Sequence, residues 1–245
     1  MLEVRRLTMR FGGLVAIDDL SLTVKAKQFL GVIGPNGAGK TTLLNLITGY
    51  LTPSSGSITL EGAALVGRKP YHICRMGIAR TFQVVQPLAE MTVLENAMTS
   101  VFYSGPHRVS ITQARDRAFE ALSLVGLAEQ SGMLAGALTL GNKKKLELAR
   151  ALATRPRLLL LDEVMAGSPQ CDVIDLMHVL RAIHASGTSI LMIEHLVPVI
   201  LALAEHVFVL NFGQELYQGR PEDVVTHPEV IESYLGKPLT ALADA

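Results

Sequence analysis

The chain has 245 residues, enough for one large domain or two small ones with a substantial hydrophobic core. Its 22 Lys and Arg residues balance its 22 Asp and Glu residues, so the charge argues against a nucleic-acid-binding protein. Its two cysteines, Cys74 and Cys171, lie far apart without the spacing of a metal site, which indicates a reduced, cytosolic chain.

The hydropathy of the chain is high, with 49% hydrophobic residues and a mean hydropathy of +0.35. No stretch reaches the roughly 18 uninterrupted apolar residues that a transmembrane helix requires. The most apolar region, Ile190 to Leu210, contains two Glu and two His residues, and the first residues lack the apolar segment of a signal peptide. We therefore expect a protein that does not cross a membrane. A large core and a surface for other subunits explain the apolar excess equally well.

Short β-branched and apolar runs between turn-like residues predict strands at 2–7, 20–25, 29–33, 57–61, 158–161, 189–193 and 207–210. Apolar residues at helical spacing predict helices at 41–50, in parts of 85–156, at 172–185 and near 229–235. The later strands are continuous apolar runs separated by a helix, which is typical of strands buried on both faces. We therefore predict an α/β fold with a parallel sheet and a helical insertion.

A phosphate-binding motif lies between the run 29–33 and the first predicted helix. It has the pattern G-x-x-x-x-G-K-S/T, and its residues are Gly34, Pro35, Asn36, Gly37, Ala38, Gly39, Lys40, Thr41 and Thr42. Glycines let such a loop turn its N–H groups inward, and the helix start adds unpaired donors. Lys40 can then reach the outer phosphates, while the Thr41 hydroxyl can bind Mg²⁺. The alternative is a glycine-rich turn without a ligand, but the flanking strand and helix favour nucleoside triphosphate binding.

Two further predicted strands end on residues suited to triphosphate chemistry. Four leucines lead to Asp162 and Glu163, and the run 190–193 leads to Glu194 and His195. A carboxylate at the end of a leucine strand is costly to ionise without compensation. A nearby Mg²⁺ would supply that compensation to Asp162 through water. Glu163 could then orient or deprotonate the attacking water, and His195 could bind the γ-phosphate. The alternative is two solvated acids that open a loop, and a structural histidine.

In open α/β sheets, ligands bind beyond the carboxyl ends of the strands. We therefore expect Lys40, Asp162, Glu163 and His195 to surround one point.

With Leu138–Asn142 just before the helix that leads to these acids, the order of motifs resembles the ATP-binding-cassette (ABC) ATPases over nearly the whole chain. The resemblance implies a P-loop NTPase fold, the ABC-type nucleotide-binding domain, with a RecA-like core, an antiparallel β subdomain and a helical insertion. It divides one domain into four segments. These are 1–84 (antiparallel β and the first part of the core), 85–156 (helical subdomain with the signature segment), 157–222 (the rest of the core) and 223–245 (the tail).

The resemblance also implies roles for single residues. Phe11, read as a loop residue, would stack on adenine, and Gln83 would link Mg²⁺ to the membrane subunits. Asp162 would serve Mg²⁺, Glu163 would be the catalytic base, and His195 would be the switch histidine. An ordinary core or turn phenylalanine and an ordinary loop glutamine are the alternatives for the first two.

The signature segment departs from the family's usual Leu-Ser-Gly-Gly-Gln, since it reads Leu138, Thr139, Leu140, Gly141 and Asn142. In the family this segment opens a helix and caps the γ-phosphate bound to the opposite subunit. Thr139 keeps the hydroxyl and Gly141 keeps a close backbone approach, whereas Leu140 is a departure. The run Lys143–Lys145 reads as a solvated helix start rather than a phosphate site. After Glu163, Val164 replaces the usual proline, and 166–170 lacks the expected D-loop residues.

Finer resemblance comes from the stretches 79–83, 91–96, 194–195 and 228–236, which look like the ATP-binding subunits of branched-chain amino-acid importers. It implies a Mg²⁺-dependent ATPase on the cytoplasmic face of the cell membrane, peripheral to integral permease subunits. Its partners would be a second ABC ATPase, identical or not, and an extracytoplasmic solute-binding protein, without nucleic acid. The alternatives are the ATPase of a related system such as lipopolysaccharide export, a non-transport ABC ATPase, or a regulatory subunit of a heterodimer.

Overall fold

The computed structural model describes residues 1–82, 85–104 and 109–235. Within these ranges the strands are β1 (Leu2–Phe11), β2 (Leu14–Val24), β3 (Phe29–Ile33), β4 (Ser55–Leu60), β5 (Ala63–Ala64), β6 (Ile78–Arg80), β7 (Leu158–Asp162), β8 (Ser189–Ile193), β9 (His206–Asn211) and β10 (Gln214–Gly219). The α-helices are α1 (Lys40–Ile47), α2 (Pro70–Arg75), α3 (Val93–Ser104), α4 (Ile111–Leu124), α5 (Leu140–Ala153), α6 (Gln170–Ala185), α7 (Val197–Leu203), α8 (Pro221–Val224) and α9 (Pro228–Val230).

The chain forms two compact units. The terminal unit joins residues 1–70 to the part of the chain that begins at Ser189, and the middle unit comprises Tyr71–Thr188. The division into four segments at 84, 156 and 222 stays a prediction.

An antiparallel sheet in the terminal unit has the strand order β2-β1-β4-β5. Alternate residues of β1 and β2 are buried, as expected for a sheet with one face on the core. The alternation slips at two bulges, where Arg6 has φ 45° and Asp19 has φ 47°. Because the bulges interrupt the apolar pattern, the sequence predicted that β1 ends at residue 7 and that β2 begins at residue 20. Both predictions were wrong, since the strands continue to Phe11 and begin at Leu14.

The second sheet of the terminal unit runs in the order β10-β9-β3-β8. Strands β9 and β8 flank β3 in parallel, with Val32 opposite Phe208 on one side and Ile193 on the other. All residues of β3 and β8 are buried, which confirms the prediction of a parallel sheet from continuous apolar runs. Helix α7 packs closely on β3, since a Cβ atom at Gly31 would lie 2.5 Å from Ile200 Cγ2.

The middle unit combines the parallel pair β6 and β7 with packed helices. Helices α3, α4 and α5 contact one another through buried apolar residues, in accord with the predicted helical region. A capping box begins α4, because Ser110 Oγ accepts from the Gln113 N–H while Gln113 Oε1 accepts from the Ser110 N–H. Among the described residues, no helix is long and apolar enough to cross a bilayer.

Candidate functional site

The phosphate-binding loop follows β3 and is held between β2 and β9. Gly34 has φ 151°, and a Cβ atom there would lie 2.0 Å from Leu210 O. Gly39 has φ 103°, and a Cβ atom there would lie 2.5 Å from Ala16 O. Both positions therefore require glycine for conformation and for space. Gly37 has φ 80° with open space around it, so its requirement is conformational alone.

The lysine of the loop folds back over the backbone that precedes it. Lys40 is 6% exposed, and its Nζ donates to Gly34 O at 2.6 Å and to Pro35 O at 2.9 Å. The ammonium group is therefore fixed on the loop rather than extended into solvent. The next residue, Thr41, is exposed at the start of α1.

Helix α1 begins without a side-chain cap. Its N-cap residue is Gly39, which has no side chain to accept from the first N–H groups of the helix. These donors and the positive end of the helix dipole lie next to the loop and Lys40. The combination of a cation, N–H groups at a helix start and glycines fits the phosphate chain of a nucleotide.

A turn that the sequence analysis missed supports this loop. Gly213, between β9 and β10, donates its N–H to Ala38 O at 2.9 Å and accepts from the Asp18 N–H at 2.9 Å. A Cβ atom at Gly213 would lie 2.7 Å from Ala16 O. The turn therefore ties the loop to β2. In the sequence, only the Phe212-Gly213 pair could have indicated a turn, and no pattern indicates which residues the turn contacts.

His195 leaves the same sheet edge as the phosphate-binding loop. Strand β8 lies beside β3 with Val32 opposite Ile193, so the residues that follow both strands emerge together. The side chain of His195 is exposed, whereas that of Glu194 is buried. Of these two polar residues, His195 is thus the one whose side chain is accessible, and its role at the phosphates stays a prediction.

Phe11 lies at the end of a strand rather than on a loop, which corrects the sequence interpretation. It is the last residue of β1, it pairs with Leu14 across the hairpin, and 46% of its surface is exposed. An exposed aromatic ring at this turn is compatible with stacking on a base.

Asp162 is paired with an arginine that the sequence analysis did not consider. The carboxylate ends β7 and its Oδ2 accepts from Arg80 Nη2 at 2.7 Å, with both side chains 7% exposed. Arg80 belongs to β6, which runs parallel to β7 with Arg80 opposite Leu160. Arg80 therefore supplies compensation that the sequence interpretation assigned to Mg²⁺, and the role of Asp162 toward Mg²⁺ stays a prediction. The three-residue strand β6 is too short to be recognised by its pattern, so the partner was missed.

Glu163 has an unusual backbone. Its φ is 51°, in the left-handed region that non-glycine residues seldom adopt, and its side chain is half-buried. The Ala166 N–H donates to Glu163 O at 3.1 Å and closes a turn. Strained backbone of this kind persists only where surrounding contacts hold it, and it often occurs at functional sites.

The signature segment begins α5. Thr139 is the N-cap, and its Oγ1 accepts from the Asn142 N–H at 3.3 Å. Asn142 Nδ2 also donates to Gln130 Oε1 at 3.0 Å. A Cβ atom at Gly141 would lie 2.5 Å from Asp172 Oδ2, so a side chain at this position would displace the Asp172 carboxylate. Leu140 is 53% exposed and leaves an apolar side chain on the surface at the helix start.

The interpretation of Lys143–Lys145 as a solvated helix start was wrong for the middle lysine. Lys144 is 5% exposed, and its Nζ donates to Ala166 O and to Ser168 Oγ. Three consecutive lysines do not share one face of a helix, because each residue turns by about 100°. The sequence alone gave no sign of the acceptors.

Gln83 lies outside the described residues, but its neighbour Phe82 does not. The Phe82 N–H donates to Glu147 Oε1, and the ring of Phe82 lies 5.2 Å from the guanidinium of Arg80. Burial raises the pKa of the Glu147 carboxyl, although the hydrogen bond from Phe82 and the charge of Arg150 act in the opposite direction.

The expected meeting of all four functional residues spans both units. Lys40 and His195 belong to the terminal unit, whereas Asp162 and Glu163 belong to the middle unit. Their convergence on one point stays a prediction. In the described part of the chain, no group of three His, Cys, Asp or Glu residues is placed to hold a metal ion.

Removal of Arg80 should destabilise the protein. The substitution Arg80→Met leaves Asp162 buried without its partner, which typically costs about 3–5 kcal/mol of unfolding free energy. The second substitution in Arg80→Met/Asp162→Leu should restore part of that loss. Urea denaturation without nucleotide measures both effects. Additive losses in the double variant would contradict a direct pairing.

The Glu147 carboxyl should make stability depend on pH. Since its folded-state pKa lies above the ordinary value of 4.5, the folded protein holds this proton more tightly than the unfolded chain does. The contribution of the protonated Glu147 carboxyl to the unfolding free energy is therefore fully present below pH 4.5, and it is lost as the pH rises through the folded-state pKa. Relative to Glu147→Gln, the wild type should lose unfolding free energy over this rise, as measured by urea titration at several pH values. Glu129→Gln, at an exposed position, is the control, and a relative gain by the wild type with rising pH would contradict the assignment.

Comparison with known proteins identifies the family. The family "ABC transporter" matches residues 17–166. The chain is 38% identical to BraF of Pseudomonas aeruginosa, a high-affinity branched-chain amino acid transport ATP-binding protein, over 97% of this chain and 98% of that protein. It is also 38% identical to the transport ATP-binding protein LivG of Escherichia coli, with the same shares covered.

Solved structures agree with this relationship. The ADP conformation of MJ1267, an ATP-binding cassette of an ABC transporter, is 34% identical with a TM-score of 0.86, covering 97% of this chain and 99% of that one. A nucleotide-free ATP-binding cassette from an ABC transporter is 31% identical with a TM-score of 0.85. These likenesses confirm the expected P-loop α/β fold of an ABC cassette. The chain is therefore a member of the ABC transporter family.

Proposed function

We propose that this chain is the ATP-binding and ATP-hydrolysing subunit of an ABC importer for branched-chain or related amino acids. The observation that carries the proposal is the phosphate-binding loop. There Lys40 is fixed over the backbone, at the uncapped start of α1, and glycines occupy positions without room for a side chain. The 38% identity to branched-chain transport ATP-binding proteins supports the transported class.

Different residues would bind different parts of the nucleotide. Phe11 would stack on adenine, while the N–H groups of 34–42 and Lys40 would bind the phosphates. The phosphates would be stabilised here because an anion at the start of α1 accepts hydrogen bonds from the helix N–H groups and interacts favourably with the helix dipole.

Hydrolysis would use residues of both units. Glu163 would orient or deprotonate the attacking water, and His195 would donate a hydrogen bond to the γ-phosphate. Thr41, Asp162 and Gln83 would hold Mg²⁺, which neutralises charge on the phosphates when it is bound. Arg80 binds Oδ2 of Asp162, so Oδ1 would be the oxygen that accepts from water in the metal's shell.

A second cassette would complete the site. In the proposed dimer, Thr139, Gly141 and Asn142 at the start of α5 would contact the γ-phosphate bound to the opposite subunit. ATP would then stabilise the dimer while it is bound, and hydrolysis would release it. Because Leu140 replaces a small residue and is exposed, contact with the partner's nucleotide would be weaker than in a segment with glycine there.

The remaining partners follow from the same proposal. Integral permease subunits would receive the motion of the cassettes through the region near Gln83, at the cytoplasmic face of the membrane. An extracytoplasmic solute-binding protein would deliver the amino acid. Co-purification of a permease and such a receptor would support import, whereas a lipid-export membrane protein in their place would contradict it.

Lys40→Ala should abolish ATP binding, because the variant lacks the cation over the loop. Titration with a fluorescent ATP analogue measures the dissociation constant of the purified protein. Lys69→Ala, which removes an exposed lysine of the terminal unit, is the control. Wild-type affinity in a folded Lys40→Ala protein would overturn the assignment of the loop.

Glu163→Gln should bind ATP but hydrolyse it about 10²- to 10⁴-fold more slowly, because the amide cannot accept the proton of water. Single-turnover hydrolysis gives the rate, and size-exclusion chromatography with ATP should show a dimer that persists longer than in the wild type. A variant with wild-type turnover would exclude Glu163 as the base.

A further inference from the structure

One face of α5 is committed to contacts within the middle unit. Gly141, Lys144, Lys145 and Leu148 have the spacing that places side chains on one side of a helix. Gly141 packs against Asp172, and Lys145 Nζ lies 3.4 Å from the carboxylate of Asp175. The side of α5 that begins in the signature segment therefore lies against α6 and against the residues that precede α6.

Lys144 makes the most buried of these polar contacts. Its Nζ donates to Ala166 O and, at 2.7 Å, to Ser168 Oγ, while the side chain is almost completely shielded from solvent. Burial of an ammonium group is costly, so these acceptors are needed to stabilise it. Lys143, one residue earlier, is partly exposed.

The acceptors of Lys144 belong to the turn that begins at Glu163. The Ala166 N–H donates to Glu163 O at 3.1 Å, and the Ser168 N–H donates to Met165 O at 3.1 Å. Lys144 therefore holds the far side of the same turn whose first residue has φ 51°. A left-handed glutamate costs free energy, and it is retained only where neighbouring contacts stabilise that conformation.

We propose that Lys144 is a positioning residue, which fixes the backbone of Glu163 through residues 163–168 and links the catalytic base to the signature helix. The proposal rests on the function proposed above, because it takes Glu163 as the base. The N-cap Thr139 and Lys144 are separated by little more than one helical turn, so they move as one body. A shift of α5 on contact with the partner's nucleotide would thus be transmitted to Glu163.

The test compares three variants in the purified full-length protein. Lys144→Met keeps most of the apolar length of the side chain but removes the donors, Lys144→Arg restores donors, and Lys143→Met is the control. The values of kcat and KM for ATP are measured together with the urea midpoint. Because a small misplacement of a catalytic group is costly, Lys144→Met should lower kcat about 10- to 100-fold. Its KM should stay near the wild-type value. Lys144→Arg should recover part of kcat, and Lys143→Met should match the wild type.

A structural role alone predicts another result. If the apparent kcat of Lys144→Met fell only in proportion to the fraction of the protein that is unfolded under the assay conditions, or stayed unchanged, the proposal would be wrong. Ser168→Ala removes one acceptor only, so it should give a smaller loss of kcat while the protein stays folded. Equal kcat in this variant and the wild type would also count against the proposal.

A combined variant separates this proposal from the proposed function. If Lys144 acts through Glu163, adding Lys144→Met to Glu163→Gln should not slow single-turnover hydrolysis further. An additional 10-fold loss would show that Lys144 acts by another route. Wild-type turnover in Glu163→Gln alone would instead overturn the assignment of the base, and with it the function proposed for the site.

Discussion

The close approach of the phosphate-binding loop to its neighbouring strands is the constraint on which the terminal unit depends. Gly34 and Gly39 lie where the carbonyl groups of Leu210 and Ala16 leave no room for a side chain. This packing fixes the loop at the sheet edge, with α1 beginning behind it and Lys40 folded over it. The anion-binding character of the loop is therefore built into the backbone, and the side chains add one cation.

Buried charges fix the candidate functional residues of the middle unit. Arg80 pairs with Asp162 at the end of β7, and Lys144 binds the turn that follows Glu163. Arg80 is held by the carboxylate of Asp162 itself, whereas Lys144 is held by acceptors in the turn that follows Glu163. An ion pair of this kind specifies geometry at the cost of desolvation, so its value lies in position more than in stability.

Local patterns predicted the parts of the fold that depend on nearest neighbours along the chain. The strands β3 and β8 and the loop Gly34–Thr42 were predicted because a continuous apolar run or a glycine pattern carries the signal. The bulges at Arg6 and Asp19, the short strand β6 and the turn at Gly213 were not predicted. Each of these features depends on contacts with residues that are distant in the sequence, so it is determined by tertiary packing.

The same division applies to the candidate site. Roles for Asp162 and Lys40 in phosphate chemistry could be predicted from residue type and position, but the partner of Asp162 and the burial of Lys144 could not. A helical side chain is buried when it lies on the face that packs inward. Three consecutive lysines do not indicate which of them lies on that face. Exposure of Phe11 and His195 likewise required the structure.

An experimental structure of the Glu163→Gln protein with ATP and Mg²⁺ tests the central claim most directly. The account predicts that Lys40 contacts the outer phosphates, and that Asp162, Gln at position 163 and His195 surround the γ-phosphate. The phosphates would lie along the N–H groups of Gly34–Thr42. A nucleotide bound elsewhere, or any of these four side chains directed away from the γ-phosphate, would contradict the account.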